Sequence, residues 1–140
     1  MYENYSNQSL PPKEYRELLG TAMCVFNSNN QFIIENILRI DRENFNWHEL
    51  IDKTSGQLLA RIKETIEEET NNTDITRMFE SLIQQRNRII HSFQITKDNE
   101  QILCTKDKQH NQLIITTDYL STFIKENSKL SDMLHKLRGY

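Results

Sequence analysis

Apolar residues recur along this chain mainly at the spacing of an α-helix. From Tyr15 they fall three or four positions apart, as on one face of a helix, and this pattern continues to Asp41. The polar stretch NSNN, residues 27–30, interrupts the pattern. It is either an exposed turn of one long helix or a break between two helices, and we favour one long or kinked helix.

Two shorter helices are predicted in the middle of the chain. Asn46 is a preferred N-cap residue for a short helix in which Trp47, Leu50 and Ile51 are expected to turn inward. A second helix follows and ends in the acidic run 67–69. Because negative charge at a helix C-terminus opposes the helix dipole, we expect this end to fray into the next loop.

The second half of the chain predicts two further helices with short strands between them. Asp74 and Asp118 are expected to be their N-caps. From residue 93 to about 117 the apolar period changes to two, which predicts two or three antiparallel strands. The apolar positions of the helix after Asp74 are Ile75, Met78, Phe79, Leu82, Ile83, Ile89 and Ile90.

These elements predict a mainly α fold: a four- to five-helix bundle with a small β-hairpin or short meander inserted before the last helix. The 140 residues suffice for one domain, which we assign to residues 13–140 after a polar tail at 1–12. With 36% hydrophobic and 26% charged residues, the composition is that of an ordered globular protein.

Charge and hydropathy narrow the function. A formal net charge of −3 provides no overall field for nucleic acid, so a polyanion site would have to be a local basic cluster. No apolar run approaches the ~20 residues that span a bilayer and no signal peptide is present, so we expect a cytoplasmic protein without membrane contact. Cys24 and Cys104 are expected to be small core hydrophobes.

The sequence contains no familiar cofactor or metal motif. The four histidines are scattered, and none has another histidine, a cysteine or a carboxylate at a familiar ligand spacing. Glycine-rich phosphate loops and serine-hydrolase motifs are also absent from the sequence. We therefore expect neither a metal ion nor a cofactor.

Arg86 interrupts the apolar face of the helix that follows Asp74. At about 100° per residue, it points close to the centre of that face. A desolvated guanidinium is costly unless it meets a carboxylate, snorkels to water or faces a wet cleft. The simplest structural explanation is an ion pair with a glutamate on a neighbouring helix.

Arg86, Asn87 and His91 together offer a catalytic explanation. A permanent cation with forked donors, an amide and an imidazole can bind a phosphate and transfer protons without a metal. RNA cleavage by its own 2′-hydroxyl requires an acid, a base and positive charge at the phosphate. Because Arg86 and His91 diverge by roughly 140° on an ideal helix, one chain would hold only part of the site, and a two-fold dimer would complete it.

The segment RNRIIH, Arg86 to His91, resembles the R-x4-6-H motif of the HEPN superfamily, and Asn87 matches the polar residue that usually follows the arginine. HEPN domains are four- or five-helix bundles with the motif late in the bundle, a layout similar to most of this chain. The resemblance implies a homodimer whose motifs face each other and, in many members, an endoribonuclease that acts as a toxin or antiphage effector. Members regulated by adenylylation often carry a tyrosine where this chain has Phe93, so that regulation is not expected.

On this basis we predict a metal-independent endoribonuclease. His91 would be the general acid or base, Arg86 would bind the scissile phosphate, and Asn87 would orient one of them or the substrate. The expected partners are RNA, a second copy of the chain, and an antitoxin or regulatory protein. The alternatives are a non-catalytic HEPN-like dimeric module that binds a protein or RNA, and an unrelated helical adaptor.

Four further basic residues are candidates for RNA contact. Arg88 lies on the polar side of its helix and is either a backbone phosphate contact or a solvated charge. The others gather in the region of the predicted strands, where basic side chains also serve solubility. They are Lys97, Lys106 and Lys108.

Overall fold

A computed structural model describes residues 7–139, so residues 1–6 of the predicted polar tail lie outside the described residues. The helices are α1 (Lys13–Ile40), α2 (Trp47–Ile51), α3 (Ser55–Ile62), α4 (Glu68–Thr70), α5 (Asp74–Ile90) and α6 (Thr117–Arg138). A π-helical turn, Lys63–Glu67, joins α3 to α4. The strands are β1 (Phe93–Lys97), β2 (Glu100–Lys106) and β3 (Gln112–Ile114). The predicted mainly α fold with a small sheet before the last helix is confirmed.

The parallel helices α1 and α6 form the most extensive helix pair. Arg39, near the end of α1, donates a hydrogen bond to the Leu137 carbonyl, near the end of α6. At their centre, buried Asn29 donates through Nδ2 to the backbone and side-chain oxygens of Asn127, at 2.8 and 3.1 Å. The stretch 27–30 therefore belongs to one continuous helix, and Asn29 within it is buried rather than exposed.

Helix α5 runs antiparallel to α6. The Tyr119 hydroxyl, in the first turn of α6, donates to the Gln85 carbonyl near the end of α5, at 3.1 Å. Asp74 at the start of α5 and Leu137 at the end of α6 line a common cavity. The C-terminal end of α5 therefore lies beside the N-terminal end of α6 and next to the sheet.

One hydrophobic core lies between α1, α5 and α6, with α3 and the π-helical turn against it. Each element contributes the apolar face that the periodicity predicts, and burying those faces drives their association. The largest fully buried side chains are Phe26, Phe79, Phe123, Ile33, Ile34, Ile37, Leu50, Leu58, Ile62, Ile66, Leu82 and Ile115.

Two of the three predicted N-caps are corrected. Asn46 caps α2 as predicted, its side chain accepting a backbone N–H. Asp74 is the first residue of α5, so the cap position falls on Thr73. Thr116, and not Asp118, caps α6 through its hydroxyl oxygen. Both aspartates lie in a first turn, where their charge still complements the helix dipole.

Several predicted burials are also corrected. Trp47 and Ile51 are 43% and 38% exposed, because the five-residue α2 turns only Leu50 fully inward. Ile90 is 50% exposed, because it lies at the very end of α5. Cys24 is exposed on α1, whereas the other cysteine is buried as predicted.

The fraying expected at the acidic run 67–69 is not observed, because these residues remain helical. The π-helical turn and α4 carry it as helix to Thr70, and Asn71 then ends the helix in the left-handed conformation, with φ 53°. Asparagine tolerates this conformation better than most residues, which explains a helix end without glycine.

The three strands form an antiparallel sheet in the order β1-β2-β3. The register pairs Phe93 with Cys104, and Cys104 with Ile114. Asp98 and Asn99 form the β1–β2 turn with φ of 51° and 65°, as a two-residue hairpin turn of the type I′ class requires. This tight turn fixes which residues of β1 and β2 face each other.

Candidate functional site

The last turns of α5 carry the motif residues Arg86, Asn87 and His91. Arg86 points in the same direction as the buried face of α5 and is half-buried, as the periodicity predicts. Asn87 is also half-buried, whereas His91 follows the last helical residue and is exposed. The motif therefore extends from the edge of the core to the surface.

The Arg86 guanidinium lies over an aromatic ring. Its Cζ is 4.8 Å from the centroid of Phe26, and Nη2 donates a hydrogen bond of 2.9 Å to Asn87 Oδ1. Its Nε is buried and has no hydrogen-bond partner among the described residues. Burial lowers the pKa of Arg86, because desolvation disfavours a cation, although a guanidinium remains charged at neutral pH.

The expected ion pair with a glutamate is not present. Within residues 7–139, no carboxylate lies within salt-bridge distance of Arg86. The cation is held by an aromatic ring and a neutral amide, neither of which cancels its charge. The Nη donors that Asn87 does not engage are therefore the ones available to an anion, because Nε is buried.

His91 is positioned by backbone contacts. Its N–H donates to the Asn87 carbonyl at 3.0 Å, which continues the helical hydrogen bonding by one residue. Its imidazole makes no hydrogen bond or ion pair with any residue that the structure describes. The ring is therefore accessible to solvent and to a ligand.

The structure brings Arg86 and Asn87 into contact, but it does not join His91 to them through side chains. The guanidinium faces Phe26, and the imidazole is in solvent. Arg86 thus lies at the edge of the core and His91 at the surface, and no contact between their side chains is found among residues 7–139.

The aromatic support of Arg86 is a feature that sequence reasoning missed. Phe26 is 1% exposed, and its ring stacks with Phe79 and Phe123 at centroid distances of 5.8 and 6.2 Å. On the sequence it is one more member of the apolar stripe of α1. Its separation from Arg86 along the chain gives no signal that the two meet.

Arg88 faces the β2–β3 loop. Backbone N–H donors, chiefly that of Asn111, hold the pKa of the Asp107 carboxyl below its usual value, and the Arg88 charge adds to this effect. Burial raises the pKa of Tyr119, and the same charge opposes the rise. Arg88 thus lies near both groups, and part of its charge is balanced within the protein.

The lysine candidates separate into two groups. Lys106 ends β2 and Lys108 lies in the β2–β3 loop, on either side of Asp107, whose carboxyl is near the Arg88 charge. Lys97 ends β1, about 13 Å from Phe93 at the rise of an extended strand. Lys106 and Lys108 therefore lie at the end of the sheet near α5, and Lys97 lies at the other end.

Exposed apolar side chains flank His91. Ile90 precedes it and is 50% exposed, and Phe93 follows it and is 40% exposed. We call these two residues the apolar flanks. Association of a partner at this surface would remove both side chains from water.

A second basic cluster lies at the opposite end of the bundle. Arg39, Arg42 and Arg138 line a cavity of about 310 Å³. Arg39 donates to the Leu137 carbonyl at 3.0 Å, and Arg138 lies 3.9 Å from the Glu35 carboxylate. These contacts give two of the arginines a structural role at the helix ends.

Searches of protein-family models, of curated proteins and of solved structures found no match to this chain. Across residues 7–139, no three or more histidine, cysteine, aspartate or glutamate side chains are grouped so that they could hold a metal ion. No helix of that same region is both long and apolar enough to cross a membrane. The motif at the end of α5 is the arrangement on which a function can be argued.

Proposed function

We propose that this chain is a metal-independent endoribonuclease of the HEPN type. The observation that carries the proposal is the half-buried Arg86, a cation that has no carboxylate partner among residues 7–139 and lies over the Phe26 ring. The charge of this guanidinium is not balanced by the groups around it, and Asn87 engages only one of its Nη atoms. A phosphate fits, because its oxygens can accept from the remaining Nη donors and balance the charge.

The chemistry follows from the residue types. His91 takes the proton from the 2′-hydroxyl or gives one to the leaving 5′-oxygen. The 2′-oxygen attacks phosphorus as the bond to the 5′-oxygen breaks, which leaves a 2′,3′-cyclic phosphate and a 5′-hydroxyl. Arg86 stabilises the negative charge that grows on the phosphate, and Asn87 orients the guanidinium by accepting from Nη2.

A second copy of the chain supplies the second proton-transfer group. One imidazole cannot easily serve both ends of the reaction, and a two-fold pairing of the motif surfaces places two copies of His91 at one cleft. The apolar flanks, Ile90 and Phe93, support such a pairing, since association would cover them. We propose a cytoplasmic toxin or antiphage effector, controlled by an antitoxin or regulatory protein.

Cleavage of RNA in the presence of EDTA tests the proposal. We expect the wild type to produce cyclic-phosphate ends, and His91→Ala and Arg86→Ala to lose this activity. Arg77→Ala, an exposed arginine on the same helix, and His48→Ala, an exposed histidine on α2, are matched controls that keep it. Equal cleavage by wild type and His91→Ala, or no cleavage by the wild type, would overturn the assignment.

A dimeric binding module is the second candidate, favoured by the exposure of Ile90 and Phe93. In that case Arg86 and His91 organise the interface, and Arg86→Ala dissociates the dimer or lowers the melting temperature. An Arg86→Ala protein that stays folded and dimeric but no longer cleaves RNA favours the enzyme.

A further inference from the structure

We infer that Phe26 is a positioning residue, whose ring holds the Arg86 guanidinium in place to receive a phosphate. This role rests on the proposed function, because it takes Arg86 as the phosphate-binding group. It assigns to α1 a part in a site whose other residues all lie at the end of α5.

The geometry is that of a cation–π contact. Arg86 Cζ lies 4.8 Å from the Phe26 centroid, inside the ~6 Å within which a ring attracts a cation. The ring itself is fixed, because Phe26 is 1% exposed and packs within the hydrophobic core on α1. The buried Phe26 ring therefore sets the position of the guanidinium.

A ring affects the cation differently from a carboxylate. A carboxylate would accept hydrogen bonds from the guanidinium and cancel its charge, so that a phosphate would have to compete with it. The ring attracts the cation through its π face and accepts none of the in-plane N–H bonds. Asn87 takes one Nη2 donor, and the Nε–H has no acceptor in the described chain.

The ring also keeps water from one side of the guanidinium. Electrostatic attraction is stronger where the surroundings are less polar, so a phosphate binds a half-desolvated cation more tightly than a solvated one. Phe26 thus supplies both the position and the low-dielectric side of the anion site.

Core packing is the competing explanation of Phe26, and Phe79 is the control for it. Phe79 is also fully buried and belongs to the same aromatic cluster, on the helix that carries Arg86, but the cation lies over Phe26. Replacing either phenylalanine with leucine removes a comparable volume from the core. Only Phe26→Leu removes the ring beneath the cation.

The test measures RNA binding in the His91→Ala background, where the RNA stays intact. We expect Phe26→Leu to weaken binding about three- to tenfold, the range that corresponds to a cation–π contact. Phe79→Leu should leave binding by the folded protein unchanged. In an Arg86→Gln background, Phe26→Leu should have no further effect, because the group that it positions is gone.

Steady-state cleavage with His91 restored gives a second readout. A purely structural loss lowers the folded fraction and hence the apparent kcat, whereas a displaced guanidinium also raises KM. We expect Phe26→Leu to raise KM and Phe79→Leu to leave it unchanged. If Phe26→Leu does not fold, Phe26→Met, which preserves more volume, replaces it in both assays.

The positioning role is wrong if Phe26→Leu and Phe79→Leu weaken RNA binding equally. It is also wrong if Phe26→Leu weakens RNA binding as much in the Arg86→Gln background as it does when Arg86 is present. A wild type that neither binds nor cleaves RNA overturns the proposed function instead. Urea unfolding of the wild type, Phe26→Leu, Arg86→Gln and the double variant then still measures whether Phe26 and Arg86 are coupled. Additive shifts of the midpoint would show that the ring does not hold the cation.

Discussion

Arg86 is a cation at a position that belongs to the apolar face of α5. Its surroundings satisfy it only in part, since Phe26 and Asn87 contact the guanidinium and the Nε–H stays unpaired in the described chain. A residue kept for stability would be expected to gain a carboxylate partner or to be apolar. Such incomplete hydrogen bonding is expected of a guanidinium that gains its remaining partner only when a ligand binds.

Replacing Arg86 with methionine should separate stability from function. The apolar side chain fills a similar volume without a desolvation cost, so we expect the free energy of unfolding to stay within about 1 kcal/mol of the wild type. RNA cleavage should be lost. Urea unfolding and a cleavage assay on the same sample check both outcomes, with the exposed Arg77→Met as the control. A loss of about 3–5 kcal/mol, typical of a broken buried ion pair, would contradict this view of Arg86.

The Arg88 side of α5 is connected to the β2–β3 loop through Asp107. Asp107 accepts backbone N–H bonds from Gln109 and Asn111, both at 2.9 Å, and these donors help to hold its pKa below the usual value. A carboxylate with a depressed folded-state pKa stabilises the loop above its unfolded pKa of about 3.9. That stabilisation is lost as the pH falls through the lower folded-state value.

We therefore expect the order of the β2–β3 loop to decrease in acid. Amide exchange or NMR shifts of Asn111 should stay constant near neutral pH and change below about pH 4. Asp107→Asn keeps an acceptor oxygen but removes the charge, so its loop should show no such acid transition. If the order of the wild-type loop does not change with pH, the hydrogen bonds from Gln109 and Asn111 to the Asp107 carboxylate do not stabilise it.

At the scale of elements, the periodicity predicted the helices and strands, and apart from exposed Cys24 and buried Asn29 in the middle of α1 the errors in burial arose in a short helix or where a helix ends. Leu50 is buried as expected, but neighbouring Trp47 is not, because a five-residue helix has too few turns to hold a broad apolar face against the core. Ile90 continues the stripe of α5 but lies past the last turn that the bundle covers. Periodicity gives direction and carries no information on where the neighbouring helix stops.

For the candidate site, too, the sequence predicted directions within one element but not contacts between elements. The direction of Arg86 follows from its own helix, whereas its contact with Phe26 depends on how α1 packs against α5. The positions of Lys106 and Lys97 at opposite ends of the sheet follow from the register that the Asp98–Asn99 turn imposes. Register can be read from a sequence only after the turn type is known.

Tyr15 joins α1 to the sheet and to the start of α6. Its hydroxyl donates to the Ile115 carbonyl at 2.6 Å and accepts from the Leu103 N–H at 3.3 Å. Burial raises the pKa of Tyr15, and the bond from Leu103 opposes that rise. The folded protein thus favours the neutral phenol, which contributes stability below its usual pKa of about 10 and loses it as the pH rises further.

Tyr15→Phe should lower the free energy of unfolding by about 1–3 kcal/mol at neutral pH, because the buried groups of Leu103 and Ile115 lose a partner. The variant should also lose less stability than the wild type above pH 10. Urea unfolding across neutral and alkaline pH measures both effects. Identical pH profiles would show that the hydroxyl does not link these elements.

At the scale of the molecule, the separation of Arg86 and His91 makes association part of the proposed mechanism. The apolar flanks lie beside His91, and association through them would bring the parts of two sites together. Leu113 is comparably exposed, at 46%, but pairs with Thr105 on the other face of the sheet from Phe93.

Phe93→Glu should therefore dissociate the dimer and reduce cleavage together, because it places a charge within the apolar surface. Leu113→Glu introduces the same charge on the other face of the sheet and should change neither the oligomeric state nor the rate of cleavage. Sedimentation velocity and cleavage assays at matched concentrations compare the two variants. Full activity in a monomeric Phe93→Glu protein would show that one chain is sufficient.

The pairing of α1 with α6 has a consequence for how the chain folds. The Asn29–Asn127 contact joins residues 98 positions apart, so the largest helix interface forms only after most of the chain has been drawn together. The chain must close a loop of this length, at a cost in entropy, before the contacts between α1 and α6 can form and stabilise the fold. This long-range pairing raises the contact order above that of a bundle with only local contacts, so refolding should be slower than the microseconds of such bundles.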